Sequence, residues 1–379
     1  MKIRLEERWR GDKFGPLEPL LAAGRKAPPH EHQKGYCTMK KTVAMLSAAV
    51  FALSLAACGA SSTAPAGENA AAPQSGAAAA TAGGVRIAIV QQMDHASLDQ
   101  IRAAIEAELD AQAAAQGIAI EYELFNGQND ATTLNQIGTQ VIADGYDAII
   151  PIATLAAQCM ANAAAETETP VVYAAISDPA TADLTGISYV TGTSDYLDTE
   201  FIMQMMFAAT PDLETVGLLY SNSEPNSEAA IEAAKAYLDG KGVAYVEATG
   251  NTNDEVLSAA VTLADQADAV FTPTDNVVMA AAGAVSATFA EAGIPYYTGA
   301  DSFVTSGALA TCGVNYDELG AATADLALEV LQTGTVPEYE IVPGGVVTVN
   351  TETAAALGID PAVFGHLGGT LVEVTTAAE

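Results

Sequence analysis

The chain has 379 residues and a net charge of −33, and beyond Ala57 it carries only four Lys and Arg against 42 Asp and Glu. A field of that sign repels a phosphate backbone and excludes nucleic acid as a partner. The 295 residues from Val85 to Glu379 are about twice the usual domain length, which predicts two lobes.

Residues 1–38 are rich in Arg, Lys, Pro and His, lack a periodic apolar face, and read as a start-site artefact or a disordered tail. Met39-Lys40-Lys41 then precede an uncharged apolar stretch of 16 residues, Thr42 to Ala57, that ends in small residues. Charged, apolar and small-residue regions in that order mark an export signal. The stretch is shorter than the roughly 20 residues a membrane span needs. Its closing word, Leu55-Ala56-Ala57-Cys58, resembles a bacterial lipoprotein signal, in which the cysteine receives lipid such as palmitate and becomes the mature N-terminus. Two acyl chains, at roughly 0.8 kcal/mol per buried methylene, anchor stably where one is marginal. The expected location is therefore the extracytoplasmic face of the cell membrane, with Cys58 as the lipidation site. Residues 59–84, an Ala/Gly/Ser/Pro run, read as a flexible stalk. Past Cys58 only Cys159 and Cys312 remain, in apolar or Ala-rich contexts that suit small buried thiols, and two cysteines define no disulfide framework.

From Val85 on, short apolar runs that suit strands buried on both faces alternate with Ala-rich segments of helical period. The first set lies at residues 85–90, 118–125, 148–152 and 171–175. After a connection through 187–190 and a helix around 195–209, a second set follows at 215–220, 243–248, 269–272 and 295–298. The starts of the two sets differ by 130, 125, 121 and 124 residues, a near-constant offset. This pattern predicts an α/β protein of two doubly wound parallel-sheet lobes. Local signals start the helices: Thr252 and Glu255 have capping-box spacing, and Asn129-Asp130 and Thr274-Asp275 offer polar N-caps. A helix over 316–331, an apolar run over 345–349 and a tail helix after Thr351 complete the chain. Lobe 1 is expected over 85–190 with 314–345 returning to it, and lobe 2 over 191–313 with 346–379 recrossing a multi-strand hinge able to close two lobes about a cleft.

In open parallel sheets ligands bind outside the carboxyl ends of the strands. Those positions are rich in hydroxyls, amides and carboxylates and hold no basic residue. The candidate ligand contacts are Asp94, His95, Thr154, Leu155, Ser177, Asp178, Ser223, Asn226, Thr274, Asp275, Asn276 and Asp301. Without Arg or Lys, an anionic group must be held by hydroxyls and helix N-terminal N–H groups, which suits one carboxylate better than several phosphates. Asp275 and Asp301 offer to receive an ammonium group through charge-assisted hydrogen bonds. Together these residues sketch a zwitterion site. Thr154, Ser177, Ser223 and Thr274 read equally well as helix caps, and Asp178-Pro179 as a turn.

The segments Gln91-Gln92-Met93-Asp94-His95-Ala96-Ser97-Leu98-Asp99, Ala153-Thr154-Leu155-Ala156-Ala157-Gln158, Ser177-Asp178-Pro179, Pro273-Thr274-Asp275-Asn276 and Gly307-Ala308-Leu309-Ala310-Thr311 resemble, in order, the substrate-binding lipoproteins of tryptophan/tyrosine-type ABC transporters. Two positions depart from that pattern: Asp94 replaces an expected Glu, and Leu155 an expected Pro. The resemblance implies a type I periplasmic-binding-protein fold, an aromatic or otherwise apolar amino acid in the cleft, and delivery to a membrane permease driven by an ATPase; a monomer is expected. It places ligand contacts at Thr154 and Thr274-Asp275-Asn276.

A sugar- or nucleoside-binding lipoprotein, or a receptor domain of the same fold, is the alternative. The absence of Trp and of cleft arginines beyond Ala57 weighs against sugar. An enzyme is the remote reading, because the dinucleotide, P-loop, serine-hydrolase and zinc-protease motifs are absent. Only His95 and His366 stand beyond the signal, and neither a cofactor nor a metal is expected.

Overall fold

The computed structural model describes residues 84–377, so the signal, Cys58 and the stalk lie outside the described residues. In chain order the strands are β1 (Val85–Gln91), β2 (Ile120–Asn126), β3 (Ala148–Ile152), β4 (Val171–Tyr173), β5 (Val190–Ser194), β6 (Thr215–Tyr220), β7 (Ala244–Thr249), β8 (Ala269–Thr272), β9 (Tyr296–Thr298), β10 (Ala310–Val314), β11 (Glu340–Ile341), β12 (Gly344–Asn350) and β13 (Thr370–Val374). They form two sheets, ordered β11-β5-β4-β3-β1-β2 and β13-β12-β10-β9-β8-β6-β7. All pairings are parallel except β10 with β12. The α/β fold class read from the sequence therefore holds, and the chain passes between the sheets three times, after Ser194, after Val314 and after Ile341.

Helices on both faces explain the near-continuous apolar runs of the central strands. Ile87, Ala88, Ile89 and Val90 are fully buried, as are Val270 and Phe271. The edge strands β2 and β7 instead expose Glu121, Glu123 and Glu247 or leave them partly covered, as edges must to avoid adding a further strand. One apolar cluster is continuous across the two lobes, joining Leu98 and Ile101 of the first to Met279 and Phe303 of the second. Three sequence-based N-caps are in place: Asp130 accepts from Thr133 N at 2.7 Å, Thr252 from Glu255 N at 3.3 Å and Asp275 from Val278 N at 3.0 Å.

Several boundaries shift. β5 runs to Ser194 inside the first sheet, four residues past the expected edge of that lobe at 190. The helix expected around 195–209 is Thr199–Ala209, capped by Asp198, which leaves Asp195 in the crossing between lobes. β10 forms at Ala310–Val314, where the apolar-run pattern predicts no strand.

The helix Tyr316–Thr333 packs against Ala96–Gln116 of the first lobe, and Gly320 lets them touch. A Cβ on Gly320 would stand 2.6 Å from Ala104 Cβ and 2.7 Å from the Ile101 carbonyl oxygen. Gly320→Ala should therefore cost about 1–3 kcal/mol through overpacking, despite the helix propensity it gains. Urea unfolding reads this directly, and an unchanged midpoint would show that the helices separate freely.

Candidate functional site

The carboxyl ends of β1, β3, β4, β5, β6, β8 and β9 converge on a narrow cavity between the lobes. Lobe 1 lines it with His95, Thr154, Ser177, Asp195 and Tyr316, and lobe 2 with Asn226, Thr274, Asp275 and Asn276. Leu98, Ile101, Met279 and Phe303 form its apolar wall. About 20 Å³ of free room remains, the space of one water, so an amino acid enters only when the lobes part. A larger cavity of about 740 Å³ opens beside it and shares Ser177, Asn226 and Thr274. Its floor is the alanine face of the helix Pro225–Lys241, flanked by Tyr196 and Tyr237. The inner cavity is the candidate site, because the polar groups converge there and not in the larger space.

Two non-glycine residues at this cavity have positive φ, Ala153 at 75° and Ala175 at 58°. Such strain persists where the surrounding structure imposes it, and it clusters at ligand clamps. Ala153 turns the chain from β3 into the helix Thr154–Ala163, whose first turn has no side-chain cap. Thr154 is buried at that N-terminus, and its hydroxyl has no protein partner among the described residues.

Hydrogen bonds cross the cleft. Ser177 Oγ lies 3.0 Å from Thr274 Oγ1, and His95 Nε2 lies 3.0 Å from Asn276 Oδ1. His95 also caps the helix Ala96–Gln116, and burial lowers its pKa from 6.5 to about 4, against the opposing pull of Asn276, Asp99 and Asp94. Gln92 Nε2 donates to Glu224 Oε1 at 2.9 Å, while Asn276 Nδ2 donates to Glu224 Oε2 at 2.6 Å.

Of the sequence-based candidates, His95, Thr154, Ser177, Asn226, Thr274, Asp275 and Asn276 meet at this cavity. The other five do not. Asp94 and Ser223 are exposed, and Asp178 caps its own turn through Ala180 N, Thr181 N and Thr181 Oγ1, bonds that hold its carboxyl below the usual range. Leu155 leaves the helix on another side and lines a separate cavity with Gln158 and Tyr189, although its N–H donates to Gln92 Oε1 at 3.0 Å. Asp301 faces a further cavity beside Asp317.

Asp275 lines the site but has little capacity left. Its Oδ2 accepts from Ser221 N and Ser227 Oγ, both at 2.7 Å, and its Oδ1 accepts from Val278 N. Asp195, which the sequence reading passed over, has more to offer. Among the described side chains its two oxygens accept from Ser177 Oγ at 2.9 Å and Tyr316 OH at 3.2 Å. Burial pushes its carboxyl up, and the two hydroxyls pull it part of the way back. Asn226 Nδ2 donates to the Thr274 carbonyl at 2.7 Å, which leaves its Oδ1 buried and unpaired. Among the described residues no Lys or Arg lines the cavity.

Known proteins are similar to this chain in sequence and fold. A tyrosine-binding protein of Clostridioides difficile (strain R20291) is 31% identical over 284 residues, which cover 72% of this chain and 80% of the relative. The ABC domain from Streptococcus pneumonia in complex with L-Trp is 28% identical, with a TM-score of 0.70 over 76% of this chain and all (100%) of that one. A ligand-free, open substrate binding protein with adhesive properties from Clostridium difficile is 29% identical, with a TM-score of 0.59 over 77% of this chain and 100% of that one. The two doubly wound lobes with three crossings have the type I periplasmic-binding-protein fold that the sequence resemblance implied. The family model for ABC transporter substrate binding proteins matches residues 86–361, and the chain belongs to that family.

Proposed function

We propose that this protein captures an aromatic amino acid between its lobes and presents it to the permease of an ABC importer, working as a monomer tethered outside the membrane by lipid on Cys58. The observation that carries the ligand class is an inter-lobe cavity that combines Asp195, the unpaired Asn226 Oδ1 and an apolar wall with no cation. Asp195 and Asn226 receive the ammonium group, while the Thr154 hydroxyl and the N–H groups opening its helix receive the carboxylate. Leu98, Ile101, Met279 and Phe303 pack against the ring. The relatives named for tyrosine binding and for an L-Trp complex support the same class.

Closure delivers the ligand only through its greater affinity for the closed state. Calorimetry of the purified protein with L-tyrosine, L-tryptophan, the other amino acids, sugars and nucleosides tests the assignment. Binding of a sugar or nucleoside with no amino acid bound would overturn it. Past Cys58 the chain has no Trp, so a change in tryptophan emission reports bound L-tryptophan without interference from the lobes.

A further inference from the structure

Glu224 stands outside the cavity, between the lobes, at the start of the helix Pro225–Lys241, and it is 4% exposed. Lobe 1 covers it through Gln92, whose amide is fixed at the end of β1 by Asn129 Oδ1 at 2.9 Å and by Leu155 N. Lobe 2 covers it through Asn276, which touches His95 across the cleft. Among the described residues no cation reaches it. Arg86 lies over Tyr146, Arg102 pairs with Glu106, Lys235 with Glu232 and Glu247, and Lys241 lies over Tyr237. The nearest charged neighbour is Asp275, of the same sign. A carboxylate sealed in this way, with amides for partners and a second carboxyl beside it, is much costlier than the neutral acid.

We propose that Glu224 is the latch of the closed state, and that drawing the lobes together over the ligand seals it against Gln92 and takes up one proton there. The proton has an acceptor within reach. Turning the Asn276 amide presents its Oδ1 to the Glu224 hydroxyl and its NH2 to Nε2 of neutral His95, once the ring carries its proton on Nδ1 and gives up the 3.5 Å cap bond from Leu98 N. When the lobes part, Gln92 leaves, water reaches Glu224 and the proton is released. Burial, and after it the charge of Asp275, push the Glu224 carboxyl up to about 8 in the closed arrangement.

The sign follows from linkage. The closed-state pKa of Glu224 is raised from 4.5, so its support for closure is complete below about 4.5 and is lost as pH rises to about 8. The closed-state pKa of His95 is depressed, so its support is complete above about 6.5 and is lost as pH falls toward about 4. The two oppose each other below about 6.5, which leaves Glu224 without the opposition of His95 between about 6.5 and 8. Asp275 is capped by Ser221, Ser227 and Val278 of its own lobe, bonds that oppose the burial raising its carboxyl and that lobe movement leaves in place. Asp94 and Asp99 act on His95 and not on Glu224. The higher TM-score against the L-Trp complex than against the open relative fits lobes already drawn together.

The inference rests on the solute-capture reading, and its test separates the two. Calorimetry of the full chain with L-tyrosine and L-tryptophan at pH 7.2, in two buffers of different ionisation enthalpy, counts protons for wild type and Glu224→Gln. Wild type should take up about one proton more than the variant, and its Kd should rise up to about tenfold per pH unit between 6.5 and 8 relative to that variant. Asp195, which faces the ligand, contributes equally to both proteins. Equal proton counts or equal slopes overturn the latch. Small-angle scattering of the ligand-free protein gives the second readout: the radius of gyration should grow from pH 6.5 to 8.5 in wild type and stay constant in Glu224→Gln. If neither amino acid binds, the ligand assignment falls while scattering still decides the latch. Should Glu224→Gln not fold, a wild-type radius that is the same at both pH values overturns it alone.

Discussion

Asp195→Asn is expected to weaken binding of L-tyrosine and L-tryptophan by about 1.5–3 kcal/mol, a rise in Kd of roughly 10- to 150-fold. Asp195 sits where the chain first crosses between the lobes, so a ligand held there is gripped at the pivot. Asn keeps the shape and still accepts from Ser177, while its NH2 turns to the oxygen of Tyr316. Only the charge is lost. Burial disfavours the Asp195 carboxylate in the absence of a cation, and an arriving ammonium group supplies the charge that neither Ser177 nor Tyr316 can. Calorimetry beside a melting curve separates the two effects, because the variant should bind poorly and melt normally. An unchanged Kd would move the ammonium away from Asp195.

The strands that were legible are those buried on both faces by apolar residues alone. β5 reads Val190-Thr191-Gly192-Thr193-Ser194, is buried throughout, and has no apolar run to announce it. Its hydroxyls are satisfied from afar, as where Thr193 Oγ1 meets Thr323 Oγ1 of a helix 130 residues on at 2.7 Å. That non-local pairing hid the true edge of the first lobe, and with it Asp195. Glu224 was hidden in the same way. Within Ser221 to Ser227 it reads as one more polar loop residue, and its burial comes from Gln92, 132 positions earlier. The strand-end rule brought the right loops together, but it could not say which residue in each loop turns inward. Thr154 points into the cleft and its neighbour Leu155 does not, since successive helix residues leave about 100° apart. Caps were legible because their partners lie three residues on.

Asp275 shows how a helix cap and a candidate ligand charge can share one residue, and its removal should act on stability before affinity. Asp275→Ala deletes the N-cap of the helix Asn276–Met279, worth about 1 kcal/mol, and leaves Ser221 N and Ser227 Oγ without their acceptor inside the protein. Each buried orphan donor costs about 1–3 kcal/mol. Relaxation and relief of the repulsion with Glu224 offset part of this, so a net loss of about 2–4 kcal/mol is expected in urea unfolding. The Ser221 to Ser227 loop, which carries Glu224 and Asn226, loses its anchor at the same time. Loss of the Asp275 charge should also let the Glu224 carboxyl fall back toward its ordinary range, moving the pH dependence of binding to lower pH. A variant that keeps its stability but loses affinity at every pH would return the ammonium group to Asp275. A variant that unfolds more easily yet binds with a pH profile shifted downward would fix Asp275 as the brace of the loop and Asp195 as the charge that meets the ligand.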